Sequence, residues 1–197
     1  MVSIPNQPIL LEGASVRLEP LQHNHCRALQ DAVQDGQLWQ VWCTIVPKPE
    51  GMAQEIERRL KLQAAGSMLP YVVVRVADNT VVGMTTYMNI DRSVPRVEVG
   101  STWYAASAQR TGVNTAAKTL LLTHAFESMG CHCVEFRTHF LNQKSRKAIE
   151  RLGAKLDGIL RSHTRMPDGS LRDTCVYSIV AAEWPAVKMH LLHGLKR

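Results

Sequence analysis

The sequence predicts an α+β fold, with a mixed, mostly antiparallel sheet, a central β-α-β unit and helices on both faces. The first observation is that apolar residues at strand spacing and at helix spacing are interleaved along the chain. The second is that strands joined by short turns lie toward both ends, where antiparallel hairpins are expected. The third is a strand, a helix and another strand in the middle, the pattern of a parallel crossover. The 197 residues suit one domain that spans residues 1–197.

In the first half of the chain, one predicted strand is followed by two helices and then by three further strands. The helices are indicated by amphipathic spacing, and in the second one we expect Met52, Ile56, Leu60 and Leu62 to face the core and the charges to face solvent. Asp78-Asn79 between two β-branched runs indicates a hairpin, so the three strands should form an antiparallel meander. The predicted segments are the strand 15–21, the helices 24–34 and 51–66, and the strands 69–77, 81–90 and 96–104.

The second half begins with a helix from Thr115 and ends with another helix. Gly130 is placed to end the first of these helices, and Gly153 to end the next. Pro167-Asp168-Gly169 is a turn signal between two strands. The predicted segments after the first helix are the strand 131–140, the helix 142–153, the strands 154–166 and 172–182, and the helix 183–195.

Composition excludes several classes of partner. The net charge of +6 is modest and scattered, so we expect no nucleic-acid partner. The N-terminus lacks a basic segment followed by a long apolar core, and no apolar run approaches the ~20 residues of a membrane span, which indicates a cytoplasmic protein without a membrane partner. The five cysteines are odd in number and scattered, as reduced thiols are. Cys131 and Cys133 alternate on a predicted strand and should pack together on one face, and residues 22–26 lack distant partners at metal-ligand spacing, so no metal is expected.

The segment SAQRTGVNTAAK, residues 107–118, joins a strand to a helix and is unusually polar for a simple turn. A helix N-terminus offers unpaired amides and a partial positive charge, which suits phosphate. Gly112 lets a ligand approach the backbone, Arg110 adds charge, and Thr111, Asn114 and Thr115 add polar side chains. The segment is a candidate pyrophosphate cradle, and the alternative is a capped helix after a surface turn. It matches neither the Walker nor the Rossmann glycine pattern.

Two segments together resemble the GNAT (Gcn5-related) N-acetyltransferases, in the branch of the RimJ- and RimL-type enzymes. The family's phosphate loop runs Gln or Arg, two variable residues, Gly, one variable residue, and Gly or Ala, and residues 109–114 follow that frame except that Asn114 stands at the last position. The family's next helix opens with Asn, two variable residues and Ser and ends in Leu-Gly, as residues 142–153 do. The likeness extends from VRLEPL to EWPAVK.

The resemblance implies that acetyl-coenzyme A, as acetyl-donor cosubstrate, lies in a V-shaped gap between two splayed parallel strands. It implies transfer of the acetyl group to a primary amine, of a small molecule or a protein N-terminus, by direct attack through a tetrahedral intermediate. It also makes a homodimer an option. The implied coenzyme contacts are the backbone at Trp103 and Tyr104, the loop residues Gln109, Arg110, Thr111, Gly112, Val113, Asn114 and Thr115, and the side chains Asn142 and Ser145.

Glu98 is the candidate general base, acting through water, because the family often places its base on this strand. Strand alternation puts Glu98, Gly100, Thr102 and Tyr104 on one face unless a bulge intervenes. The alternative is a structural or substrate-anchoring charge. The family's usual acidic Tyr is replaced by Ile149, which leaves Ser145, Tyr104 or water to protonate the thiolate.

The acceptor side is expected to come from the N-terminal helices and the last hairpin. Packing is the alternative role for each candidate, and His163 is also an alternative base. Since Ile149 cannot supply a proton, the alternative function is a non-catalytic acyl-coenzyme A sensor or a ribosome-associated binding protein. The acceptor-side candidates are Trp39, Trp42, Tyr87, Arg161 and His163.

Overall fold

One sheet of eight strands runs through the computed structural model, which describes residues 4–195. In chain order the strands are β1 (Leu11–Glu12), β2 (Val16–Pro20), β3 (Met68–Arg75), β4 (Thr80–Asp91), β5 (Arg96–Tyr104), β6 (Cys133–His139), β7 (Lys155–Arg165) and β8 (Leu171–Val180). The α-helices within the described residues are α1 (Cys26–Gln34), α2 (Met52–Ala64), α3 (Val113–Thr123), α4 (Gln143–Glu150) and α5 (Trp184–Gly194).

The spatial order of the strands is β1-β2-β3-β4-β5-β6-β8-β7. Neighbouring strands are antiparallel except β5 and β6, which are parallel and joined by α3. A parallel pair needs such a crossover because its second strand must restart at the same end of the sheet. The predicted α+β class, the antiparallel meander and the central β-α-β unit are therefore confirmed.

The core lies between the sheet and the helices on its two faces. Tyr87 on β4 is fully buried, and its hydroxyl donates to the Leu121 carbonyl of α3 at 2.6 Å. Val72, Val73 and Met84 are also fully buried in the central strands, while α1 and α2 pack against β4 and β3 from the other face. The strands β3 and β4 are thus buried on both faces, as their β-branched runs predict.

The helix α3 begins two residues earlier than the predicted Thr115. Its N-cap is Gly112, whose φ of +88° lies in the left-handed region that glycine adopts without a steric penalty. After Thr123 the helix widens into a π-turn from His124 to Ser128, where the Met129 amide donates to the His124 carbonyl. Gly130, with a φ of +65°, then turns the chain toward β6.

A bulge interrupts β5 just before its end. Gly100 pairs with Thr86 and Trp103 with Met84, so two residues of β5 face one residue of β4. Ser101 takes the left-handed φ of +46°. Because an extra residue inverts the alternation of side chains, the expectation that Glu98, Gly100, Thr102 and Tyr104 share one face is wrong beyond Gly100. Trp103 takes the place of Thr102 on the Glu98 face.

No helix described between residues 4 and 195 is both long and apolar enough to cross a membrane.

Candidate active site

The strands β5 and β6 separate after the first three residues of each strand. Their parallel pairing covers Arg96 to Glu98 of β5 and Cys133 to Glu135 of β6, and no pairs join the residues that follow. The outer edges of both strands remain paired, β5 with β4 and β6 with β8. The inner edges beyond Glu98 and Glu135 therefore present free backbone groups to a gap, which an extended ligand can bind as a third strand would.

The loop after β5 is shaped by two left-handed residues, Arg110 with a φ of +64° and Gly112 with a φ of +88°. The Gln109 amide nitrogen donates to the Tyr104 carbonyl at 2.9 Å, and the Thr111 hydroxyl donates to the Ala108 carbonyl at 2.7 Å. The first bond fastens the loop to the end of β5, and the second holds the loop's own turn together. The side chain of Gln109 is thus committed to the loop's own structure.

The amides of residues 111–115 have no acceptor among the described residues. They form the first turn of α3, where no carbonyl lies one turn earlier in the helix, and they carry its positive dipole end. Gly112 has open space around its α-carbon, while Val113 is buried and anchors the turn. The result is a set of exposed donors at the mouth of the β5–β6 gap, suited to an anion.

The other wall of the gap is the start of α4. The Asn142 side-chain oxygen accepts a hydrogen bond from the Ser145 amide at 3.1 Å, which makes Asn142 the N-cap of the helix. The Ser145 hydroxyl has no hydrogen-bond partner among residues 4–195. The Asn-x-x-Ser spacing thus places the Ser145 amide where the Asn142 side chain can cap the helix. The Ser145 hydroxyl stays available at the start of the helix.

Glu98 lies on β5 immediately before the strands separate. It is 6% exposed, and its Oε2 atom accepts a hydrogen bond from the Asn89 side chain at 2.7 Å and lies 3.5 Å from the Arg137 Nε atom. Burial raises the pKa of Glu98, although Asn89, Arg137, Arg172 and a protonated His163 oppose the shift. A buried carboxylate with a raised pKa, at the end of a gap, is suited to accept a proton.

Gly100 is required for this placement of the carboxylate. A β-carbon at residue 100 would lie 2.8 Å from the Glu98 Oε1 atom and 3.0 Å from the Met88 sulfur. Any larger residue would push the Glu98 side chain out of its position.

The acceptor-side candidates from the last hairpin separate onto two faces. The Arg161 Nε atom pairs with the Asp173 carboxylate at 2.6 Å, whereas the His163 Nδ1 atom lies 3.2 Å from the Thr174 hydroxyl. Asp173 and Thr174 are consecutive on β8 and point to opposite faces. Ser162, with a φ of +48°, interrupts the alternation of β7 between the two candidates. His163 therefore shares the face of Glu98, and Arg161 does not.

The two tryptophans between α1 and α2 also differ. Trp42 is 63% exposed and packs edge-on against the His139 ring, with 5.3 Å between the ring centroids. Trp39 is partly buried against the core. Trp42 therefore lies beside the end of β6, at the border of the gap. Among residues 4–195, no three His, Cys, Asp or Glu side chains are grouped as metal ligands.

Two tyrosine candidates lie away from the site. Tyr87 faces α3, with its ring centroid 6.0 Å from that of Tyr71, so the structure removes it from the acceptor side. The Tyr104 hydroxyl is buried without a partner in the described part of the chain, and burial raises its pKa. The bulge turns the Tyr104 side chain to the face opposite Glu98, so its proposed role as general acid is withdrawn, while its backbone still borders the gap.

Comparison with known proteins identifies the family. The model of the acetyltransferase (GNAT) domain matches residues 15–155. The chain belongs to the GNAT acetyltransferase family. A Bacillus subtilis (strain 168) protein, YdaF, provisionally named a ribosomal N-acetyltransferase, is 32% identical over 111 residues, which are 56% of this chain and 60% of that protein.

Solved structures agree with the family. A Gcn5-related N-acetyltransferase from Brucella melitensis superposes with a TM-score of 0.84 at 28% identity, over 95% of this chain and 85% of that one. The Mycobacterium smegmatis RimJ, solved in complex with CoA-disulfide, superposes with a TM-score of 0.78 at 23% identity, over 91% of this chain and 88% of that one. The GNAT fold and the membership of the GNAT family are thereby confirmed.

Two buried basic side chains hold the bulge of this GNAT domain, and neither is among the residues expected from the sequence to be functional. Lys118 of α3 donates to the Thr102 hydroxyl at 2.7 Å and to the Thr85 hydroxyl at 3.0 Å. From the other face, the Arg59 Nη2 atom of α2 donates to the Ser101 carbonyl at 3.2 Å. The bulge is therefore clamped between two helices.

The spacing of apolar residues along each helix is the sequence signal that identifies both residues. Arg59 is one turn beyond Ile56, which lies one turn beyond Met52, and all three are buried. The expectation that the charges of this helix face solvent is wrong for Arg59. Lys118 precedes Leu121 and Leu122 by one turn and shares their buried face.

Replacing Tyr87 by Phe tests its assignment to the core. The change removes a buried donor from the Leu121 carbonyl, and we expect the free energy of unfolding to fall by about 1 kcal/mol, measured by urea denaturation, with no change in the KM for any amine acceptor. Tyr104→Phe is the matched control, since that hydroxyl has no partner to lose. A raised acceptor KM in Tyr87→Phe would return Tyr87 to the acceptor side.

Lys118 predicts a specific pH dependence of stability. Burial lowers the pKa of Lys118 to about 7, from the ordinary lysine value of 10.5. Between these values the unfolded chain holds a proton that the folded chain has released, so the free energy of unfolding increases as pH rises, by up to about 1.4 kcal/mol per pH unit. We expect Lys118→Met to lose this slope between about pH 7.5 and pH 9 in urea denaturation, and surface Lys61→Met to keep it. Equal slopes would mean that Lys118 stays protonated in the fold.

Proposed function

We propose that this chain is an N-acetyltransferase that transfers the acetyl group of acetyl-coenzyme A to a primary amine. One observation carries the proposal: the gap between β5 and β6 opens beside the unpaired amides of residues 111–115, so an extended arm and a diphosphate would bind in one continuous site. The acceptor is a small-molecule amine or a protein N-terminus. The name of the B. subtilis relative supports the second option.

In this proposal the coenzyme is bound mainly by backbone. The inner edge of β5 at Trp103 and Tyr104 would bond the pantetheine amides, and the α3 amides with Arg110, Asn114 and Thr115 would bond the phosphates. The Asn142 amide and the Ser145 hydroxyl would contact the coenzyme from the α4 side. The M. smegmatis RimJ, which shares the fold, is described in complex with CoA-disulfide.

The proposed chemistry requires a neutral amine, stabilisation of an oxyanion and a proton for the departing thiolate. Glu98 would take the amine's proton through water, with Asn89 fixing the orientation of its carboxylate. A backbone amide of the open β5 edge would stabilise the tetrahedral intermediate. Ser145 or water would protonate the thiolate, because the buried Ile149 has no acidic proton to donate. Positioning supplies much of the rate, since a thioester needs no covalent enzyme intermediate.

An amine screen tests the function. Acetyl-coenzyme A is incubated with small amines and with N-terminal peptides, and free thiol is measured alongside coenzyme binding by calorimetry. Amine-dependent thiol release supports the enzyme. Tight coenzyme binding without turnover of any acceptor would favour the alternative of a sensor or a ribosome-associated binding protein.

Glu98→Gln should lower kcat about 100-fold or more, the range for losing a general base, while the Kd for coenzyme A stays unchanged. Since burial raises the pKa of Glu98, activity should rise with pH as the carboxylate ionises, and this limb should disappear in the variant. Glu57→Gln on the surface of α2 is the control. Turnover at the wild-type rate would remove Glu98 from the chemistry.

Arg110→Asn tests the phosphate loop. Asn tolerates the left-handed backbone of residue 110, so the variant removes the charge without forcing the loop. We expect the Kd for coenzyme A to rise about tenfold, corresponding to about 1.4 kcal/mol, with a weaker dependence on salt. Arg27→Asn on the exposed side of α1 should bind normally, and identical affinities for the two variants would mean that Arg110 does not contact the diphosphate.

A further inference from the structure

Arg172 is a cation beside the candidate active site that lacks a carboxylate partner. It lies on β8 and is partly buried, and its Nε atom donates to the Thr174 hydroxyl at 3.0 Å. No carboxylate among residues 4–195 lies within ion-pair distance of its guanidinium. The two terminal nitrogens of the side chain make no hydrogen bond within the described residues. The fork of the guanidinium is therefore available to a ligand.

The charged side chains beside Glu98 on β5 and β6 already have partners of opposite charge. Glu135 pairs with both Arg96 and Arg137, the latter at 2.9 Å, and Arg137 also lies 3.5 Å from Glu98. Two carboxylates thus match two guanidinium groups. Asp173 points to the opposite face and pairs with Arg161 there. Arg172 lies outside this set of ion pairs, and among residues 4–195 it has no carboxylate partner.

Strand register places Arg172 on the same face as Glu98. In the parallel pair, Glu98 lies opposite Glu135, and His139 follows on the same face of β6. His139 pairs with Thr174 of β8, and Arg172 is two residues from Thr174. Arg172 lowers the pKa of both Glu98 and His139, as a cation that faces both groups must.

The groups around the guanidinium come from five parts of the chain. They are mostly neutral or weakly charged, so Glu98 is the principal negative charge within its influence. Burial lowers the pKa of Arg172, because the surrounding groups solvate the charged guanidinium less well than water does. The titratable neighbours are Cys43 from the segment after α1, Glu98 from β5, His139 from β6, His163 from β7 and Cys175 from β8.

The border of this cleft is apolar and exposed. Trp42 packs on His139, and the Leu141 amide donates to the His139 Nδ1 atom at 3.0 Å. Trp42 is 63% and Leu141 56% exposed. Two large apolar side chains beside a charged cleft favour an acceptor with its own side chains over a small free ion.

We infer that Arg172 binds a carboxylate of the acceptor, and that the acceptor is a peptide or protein N-terminus with an acidic side chain close to its amine. The inference rests on the proposed function. A carboxylate matches the planar fork of a guanidinium with two parallel hydrogen bonds. The net charge of +6 would also draw an acidic chain toward the protein.

Acceptor binding would then prepare the base. In the free protein the Arg172 charge opposes protonation of Glu98. When an acceptor carboxylate neutralises Arg172, that opposition weakens, and Glu98 becomes a stronger base at the moment that the amine is in place. Selectivity for acidic acceptors and activation of the base would have a single cause.

Matched peptides test the inference. Two N-terminal peptides that differ only by Asp and Glu against Asn and Gln at their second and third residues are acetylated by the wild-type protein, Arg172→Lys and Arg172→Met. We expect the wild-type kcat/KM to favour the acidic peptide about tenfold or more, Arg172→Met to treat both peptides alike, and Arg172→Lys to fall between. Arg161→Met, which changes an arginine on the opposite face, is the control and should keep the wild-type preference.

Binding supplies a readout that does not depend on turnover. Calorimetry of each peptide with the coenzyme A-loaded protein should show tighter binding of the acidic peptide, lost in Arg172→Met while coenzyme affinity is retained, which also shows that the variant is folded. Such binding without acetylation would count against the proposed function and leave the inference standing. Equal wild-type binding and turnover of both peptides would overturn the inference while acetyl transfer stands. Selection of 4-aminobutyrate over its amide, without any selection between the peptides, would overturn the peptide assignment.

Discussion

The bulge at Ser101 is the constraint on which the site depends. The pairing of β5 with β6 stops at Glu98, and the bulge follows three residues later. Lys118 from α3 and Arg59 from α2 hold it in place. A regular strand would keep its alternation and would present Thr102 beside Glu98. The bulge instead places Thr102 against α3, and it precedes the loop that carries the free amides. A β-bulge next to a site commonly re-aims side chains in this way.

Charge is distributed unevenly around this bulge. Lys118 has only hydroxyl partners, so it is held at the cost of desolvation, which lowers its pKa to about 7. Arg59 has Glu55 at 2.7 Å as its counter-ion. Glu98 feels the opposite balance, since burial raises its pKa and nearby cations lower it. Burial is therefore the main cause of both pKa shifts. It makes the free energy of unfolding depend on the protonation of Lys118, and it raises the pKa of the candidate base Glu98.

The sequence was sufficient to predict most of the helices and strands and the polar loop before α3. The predicted β5 agrees with Arg96–Tyr104, and the polar loop before α3 carries the unpaired amides expected from helix geometry. These features are local, so residue patterns along the chain can reveal them. The role of the loop as a coenzyme site remains a proposal.

The bulge and its clamps could not be foreseen in the same way. Nothing in Gly100-Ser101-Thr102 requires a left-handed serine, which is stabilised by contacts from distant helices. Their charges predict exposed positions for Arg59 and Lys118, because charged side chains are usually exposed. Tyr87 was misplaced because an aromatic residue on a strand does not reveal which face it occupies. Each error concerns a tertiary contact and not a local pattern.

The cap of α4 limits what Asn142 can offer to a neighbour. Its side-chain oxygen already accepts a hydrogen bond from the Ser145 amide, so the NH₂ group is the part of the side chain without a partner, and that group donates but does not accept. A carbonyl oxygen of a ligand would therefore find a donor there. Helix capping thus gives this side chain a fixed polarity, and exchanging Asn142 for Asp would preserve the cap but reverse the electrostatic character of that wall.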